Sequence, residues 1–112
     1  MSQSPEAVET AVAAQSLLGS TSVTFNFPSD KTSTRTVQQS LDAPGGTESA
    51  LIALQRFNVA YSDTDYELQN LQISLSTSRT TATCTATLRD KNNNGQAWEG
   101  TVVGLVMFFG NV

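Results

Sequence analysis

Between Gly100 and Gly110 the chain reads Gly-Thr-Val-Val-Gly-Leu-Val-Met-Phe-Phe-Gly, apolar at almost every position. A strand with one wet face alternates apolar and polar residues, so this run predicts a strand with two dry faces. Its even set (Trp98, Val102, Val106, Phe108) and its odd set (Val103, Leu105, Met107, Phe109) are both apolar. The segment before it behaves differently. From Arg79 to Arg89, Ala82, Cys84, Ala86 and Leu88 alternate with Thr81, Thr83, Thr85 and Thr87, which predicts one buried face and one threonine face. Taken as the hairpin partner of the terminal strand, it accounts for only one dry side.

The remaining pattern is mostly period two. Val23, Phe25 and Phe27 alternate with Thr24 and Asn26, and Pro28 closes that strand. A weak Thr/Arg/Val alternation ending near Gln38 reads as an edge strand. Asp42-Ala-Pro-Gly-Gly46 is the strongest loop signal. From Glu48 to Tyr61 the apolar parity changes: Ile52 and Leu54 are even, whereas Phe57, Val59 and Tyr61 are odd. A β-bulge near Gln55-Arg56 reconciles the halves. A short helix over 47–55 is the alternative, because the segment holds good helix formers. Ser62-Asp-Thr-Asp65 predicts a turn, and Tyr66 to Ser76 a strand with Leu71, Ile73 and Leu75 inward.

One segment breaks this period. Ser4-Pro5-Glu6 suits a helix start, Ala7 to Leu18 is rich in helix formers, and Gly19 suits a stop, so a helix over 5–18 is predicted. The fold class is therefore mainly β, an antiparallel sandwich or small barrel of five to six strands over 21–109 with one N-terminal helix. With 112 residues the chain is read as a single domain, 1–112.

Composition narrows the function. Six Lys plus Arg against ten Asp plus Glu give a net charge of −4, and the basic residues are scattered, which speaks against nucleic acid. Histidine is absent, removing the commonest general base and metal ligand. Cys84 is the single cysteine and reads as a small buried thiol. No signal peptide or membrane-spanning helix is legible, so the chain is expected to be soluble and without membrane insertion, and its localisation is open.

Two clusters are candidates for chemistry. Asp90-Lys-Asn-Asn-Asn-Gly95 opens like a calcium loop, with Asp90, Asn92 and Asn94 as the oxygen donors, but Thr101 stands where the bidentate Glu is needed. A hairpin loop using Asn94-Gly95 is the plainer reading. Asp63, Asp65 and Glu67 sit beside Tyr61 and Tyr66. A carboxylate pair in hydrolysis needs a cleft and one raised pKa, whereas a solvated turn supplies neither. No phosphate-cradling glycine loop is present. The expectation is a protein that is not an enzyme, with no cofactor.

From Ala50 to Phe109, Leu-Ile-Ala-Leu-x-x-Phe-Asn-Val, Leu-Gln-Ile-Ser-Leu, Thr-Ala-Thr-Cys-Thr-Ala and Gly-Thr-Val-Val-Gly-Leu-Val-Met-Phe follow one another. That succession resembles the strand order of H-type lectin domains. The resemblance implies a small antiparallel sandwich, trimeric or hexameric assembly, and binding of N-acetylgalactosamine-type sugars near subunit interfaces. Such lectins carry aromatic and His-type contacts in the loop before the last strand, and Arg89 to Ala97 has neither.

The expected function is a non-catalytic, homo-oligomeric binding module with carbohydrate as the ligand class. Tyr61, Asp63, Asp65, Tyr66, Arg89, Asp90, Asn92, Asn94 and Trp98 are the candidate ligand contacts. Val103, Leu105, Met107 and Phe109 form the candidate interface, covered by another subunit or, alternatively, by the N-terminal helix. The other reading is a structural or assembly subunit whose apolar terminal strand and helix bind protein partners. A hydrolase using Asp63 and Asp65 comes third.

Overall fold

Six strands follow one another along the chain: β1 (Ser16–Asp30), β2 (Thr34–Ser40), β3 (Thr47–Tyr61), β4 (Leu68–Thr77), β5 (Thr81–Asp90) and β6 (Trp98–Gly110). The computed structural model describes residues 15–62, 68–90 and 96–111. The strands form two antiparallel three-stranded sheets, ordered β1-β6-β3 and β2-β5-β4. They lie face to face and remain separate, so the small-barrel alternative is set aside.

The doubly apolar run becomes the central strand of the first sheet, where both of its edges are paired. The threonine-faced strand β5 is the central strand of the other sheet. This corrects the hairpin expectation: β5 and β6 are successive in sequence yet pair with different neighbours. The connection carries the chain from one sheet to the other, and the apolar faces of the two central strands meet across the sandwich.

The core between the sheets combines Val23, Phe25 and Phe27 of β1, the even positions of β5, and Trp98, Val102, Val106 and Phe108 of β6. Leu71, Ile73 and Leu75 of β4 and Val37 of β2 pack against it. Fully burying such side chains stabilises by about 1.5–3 kcal/mol each. Alternation is thus realised as predicted in β1, β4 and β5.

Three local features bear on the surfaces described below. The β3–β6 register shifts between Leu54 and Arg56, which is the bulge predicted from the change of parity. The helix considered for 47–55 is replaced by strand, because the segment is paired with β6 from Thr47 onward. The helix predicted over 5–18 is corrected where it overlaps the described residues: β1 begins at Ser16, and Ser16 and Leu17 pair with Gly110 and Phe109. Ladder bonds to the central strand outweigh the helical preference of these residues. Residues 5–14 lie outside the described residues, and no helix occurs among the described ones.

Glycine is required where backbones approach closely. A Cβ at Gly100 would overlap Asn58 O and come within 2.7 Å of Val59 Cα. Gly46, at φ +89°, closes the Pro44–Thr47 turn, where Thr47 N and Thr47 Oγ1 both donate to Pro44 O at 3.2 and 2.6 Å.

Candidate functional site

The outer face of the β1-β6-β3 sheet carries the features that a core or a plain solvated face does not explain. Residues paired across a ladder share a face. Since Val102, Val106 and Phe108 point into the core, Thr101, Val103, Leu105, Met107 and Phe109 point away from it, each with partners on both sides.

One end of this face is apolar. Phe109 lies between Leu17 and Ser49, Met107 between Ser20 and Leu51, and Leu105 between Ser22 and Ala53. Leu17 is 58 % exposed and Leu51 59 %, while Leu105, Met107 and Phe109 are half-buried by their neighbours. Val103 differs from the other three residues of the predicted row, being only 3 % exposed. It pairs with Thr24 and Arg56, next to the bulge of β3. The bulge frees Gln55 from the ladder, and Ser22 Oγ on β1 donates to Gln55 Oε1 at 2.9 Å, a bond that joins the two strands flanking β6. This link is the boundary between the apolar end and a polar one.

Beyond it, Asn26, Thr101 and Asn58 occupy register-matched positions on β1, β6 and β3. Thr101 Oγ1 donates to Asn26 Oδ1 at 3.4 Å. Glu99, two residues along β6, faces the small side chain of Ala60 on one side. On the other side the β1 ladder breaks between Phe27 and Asp30, around Pro28, which has no N–H to offer. A depression of about 620 Å³ results, lined by Asn26, Pro28, Asn58, Ala60, Glu99 and Thr101 together with backbone near Phe27 and Gly100.

At the same end, between the sheets, Arg35 lies on the inward face of β2, its position in register with Ala86. Its guanidinium carbon sits 3.8 Å from the Trp98 ring centroid and 5.6 Å from that of Phe27. Arg35 Nη2 donates to Trp98 O at 2.7 Å, and Nη1 donates to Pro28 O. Trp98 Nε1 donates to Thr32 O at 2.9 Å. Desolvation lowers the Arg35 pKa from its ordinary value, a pull that the nearby Asp30 carboxylate partly offsets. Asp30 is itself lowered, first by the Thr32 backbone N–H and then by the Thr32 hydroxyl.

Of the ligand contacts expected from sequence, Trp98 is fully buried, with Arg35 and Phe27 against its ring, and so presents no stacking face to a ligand. Its indole serves the core and the Arg35 stack. Tyr61 is half-buried, pairs with Trp98 and packs on the core. Arg89 is exposed near the end of β5. The backbone of Asp90 ends that strand opposite Leu68. Asp63, Asp65, Tyr66, Asn92 and Asn94 lie outside the described residues, and with them the whole acidic cluster and most of the weak calcium loop. Cys84 is buried, and desolvation pushes its thiol pKa up to about 11.

The depression was not legible from the sequence. Asn26, Asn58 and Thr101 stand on three strands far apart in the chain, and each reads as an ordinary outward polar residue. Only the register brings them into one row. Arg35 was likewise read as an edge charge, although it stands two residues from Val37 and so shares that residue's inward face, the one signal in the sequence that could have found it. No family model, curated protein or solved structure matches this chain.

Proposed function

We propose that this protein is a non-catalytic binding module that works as a homo-oligomer, with the apolar end of the β1-β6-β3 outer face as its self-association surface and carbohydrate as its ligand class. The observation that carries the reading is the group formed by Leu17, Leu51, Leu105, Met107 and Phe109, which leaves two leucines more than half exposed beside a half-buried row. Contiguous exposed apolar surface of this kind favours being covered. A second copy is the favoured cover because a two-fold arrangement would match the strip with itself, each flank carrying one exposed leucine, Leu17 on β1 and Leu51 on β3, among small side chains.

Association through this face is favoured over edge-to-edge pairing. The free edge of β3 carries a bulge, and bulges blunt an edge against further strands. Leu54 and Phe57, exposed at 46 and 47 %, lie on the inward side of β3 close to that edge, and a neighbouring subunit that reaches around β3 would cover them too.

The absence of histidine and the protonated, buried state of the only cysteine support the non-catalytic part of the reading. The test is sedimentation velocity across a concentration series. Self-association is expected, weakened in Leu51→Lys, which places a charge on the strip without touching the core. A wild type that stays monomeric up to millimolar concentration would remove the proposal. A purely structural subunit draws on the same apolar strip; it gains if the oligomer forms and a broad glycan array gives no binding.

A further inference from the structure

We infer that the depression at the polar end of this face, where Asn26, Asn58, Thr101 and Glu99 converge, is a binding site for a single neutral sugar residue. The inference rests on the carbohydrate reading above and assigns it to a place on the strands, away from the loops singled out in the sequence.

Its basis is unspent hydrogen-bonding capacity on a rigid support. Among the described residues, the Asn58 amide and the Glu99 carboxylate make no hydrogen bond, and Asn26 uses only its Oδ1, on Thr101. All four side chains stand on paired strands, so the row Asn26–Thr101–Asn58 is held at the strand spacing of about 4.8 Å per step. Each amide offers both a donor and an acceptor, and the carboxylate offers two acceptor oxygens. Adjacent ring hydroxyls of a sugar, each donor and acceptor at once, match that set. Pro28, Ala60 and the Thr101 methyl supply apolar patches for the C–H surface of the ring.

Other chemistries fit less well. An anion would meet Glu99 with no cation lining the depression. A divalent cation would find one carboxylate among neutral oxygens, where hard-cation sites gather several charged ligands. A wholly apolar ligand would strip water from the amides and the carboxylate without replacing their hydrogen bonds. Because Phe27, the aromatic residue at the depression, is only 2 % exposed, a single site is expected to bind weakly, and repetition of the site in an oligomer would supply the avidity.

The probes are galactose, mannose and N-acetylglucosamine, titrated separately into isotope-labelled full-length protein. NMR reads the Asn26 and Asn58 side-chain amides and the Thr101 methyl, and sedimentation reads assembly in parallel. At least one sugar is expected to shift these signals saturably. Asn58→Ala and Glu99→Gln are each expected to weaken its binding about tenfold or more, with the sedimentation profile of wild type retained. Thr101→Val, which removes a hydroxyl from the centre of the row, is expected to weaken binding as well. Sugar binding that survives all three substitutions would overturn this site and leave the carbohydrate reading standing. Failure of all three sugars to bind wild type, together with an empty glycan array, would overturn both. Neither result touches self-association, which sedimentation decides.

Discussion

Arg35 shows how one charged side chain can hold the end of a sandwich together. Its guanidinium stacks on Trp98 while donating to the carbonyls of Pro28 and Trp98, so it ties β2 to β1 and β6. Arg35→Met keeps much of the volume but leaves both carbonyls without that donor. The expected loss is about 1–3 kcal/mol, read by urea unfolding. Arg35→Lys is expected to recover only part of it, since an ammonium lacks the planar fork. Arg35 Nε is buried without a hydrogen-bond partner among the described residues, a cost the stack and the two carbonyl bonds must outweigh.

Two titrations follow at the same scale. The Cys84 thiol, pushed up to about 11 by burial, is expected to resist maleimide at neutral pH in the folded protein and to react fully once unfolded. Fast labelling of the native state would contradict its burial. Asp30 is held below its ordinary value by Thr32. Its contribution is therefore present above the unfolded aspartate pKa and lost as pH falls through the lowered folded value. The Thr32 amide is expected to report that loss in an acid NMR titration, and Asp30→Asn to abolish the transition.

At the level of strands, much of the design was readable because period-two alternation is a local signal. The change of parity between Leu54 and Phe57 located the β3 bulge, since one inserted residue is the simplest way to keep both halves facing the core. Deleting Gln55 would remove the bulge and leave Leu54 and Phe57 facing Gly104 and Val102 in one unbroken alternation. The expected outcome is a protein that still folds, with the Ser22–Gln55 link lost and stability changed by about 1 kcal/mol in thermal unfolding, whereas inserting a second residue beside Gln55 would turn one half of β3 inside out and is expected to prevent folding. Gly100→Ala is expected to destabilise as well, because the added methyl meets the backbone of Asn58 and Val59.

Sheet membership was less legible than strand identity. A polar loop after β5 permits either a hairpin or a passage to the facing sheet, and nothing in Arg89 to Ala97 distinguishes them. The beginning of β1 was misread for a related reason. Ser16 to Leu18 continue an alanine-rich stretch with helix-forming composition, whereas their conformation is set by Phe109 and Gly110 at the far end of the chain. The row of Asn26, Thr101 and Asn58 depends on the same long-range register.

For the whole molecule, the terminal run explains more than its own burial. As the central strand of its sheet, β6 turns its even residues to the core, and its odd residues complete an outer face with an apolar end and a polar end. The Ser22–Gln55 bond separates the two, covering neither Leu105 nor Met107 completely. Self-association over the apolar end, as proposed, would leave the polar depression outside the strip that is covered. A ligand residue bound there would be presented in as many copies as there are subunits.

The most direct measurement is sedimentation velocity on wild type and on Met107→Lys, compared over the same concentration series. Met107 lies at the middle of the exposed strip and outside the core, so the substitution is expected to shift the protein to monomer while its unfolding midpoint stays close to that of wild type. If wild type and Met107→Lys sediment alike, the outer face is not the self-association surface and the central claim is wrong.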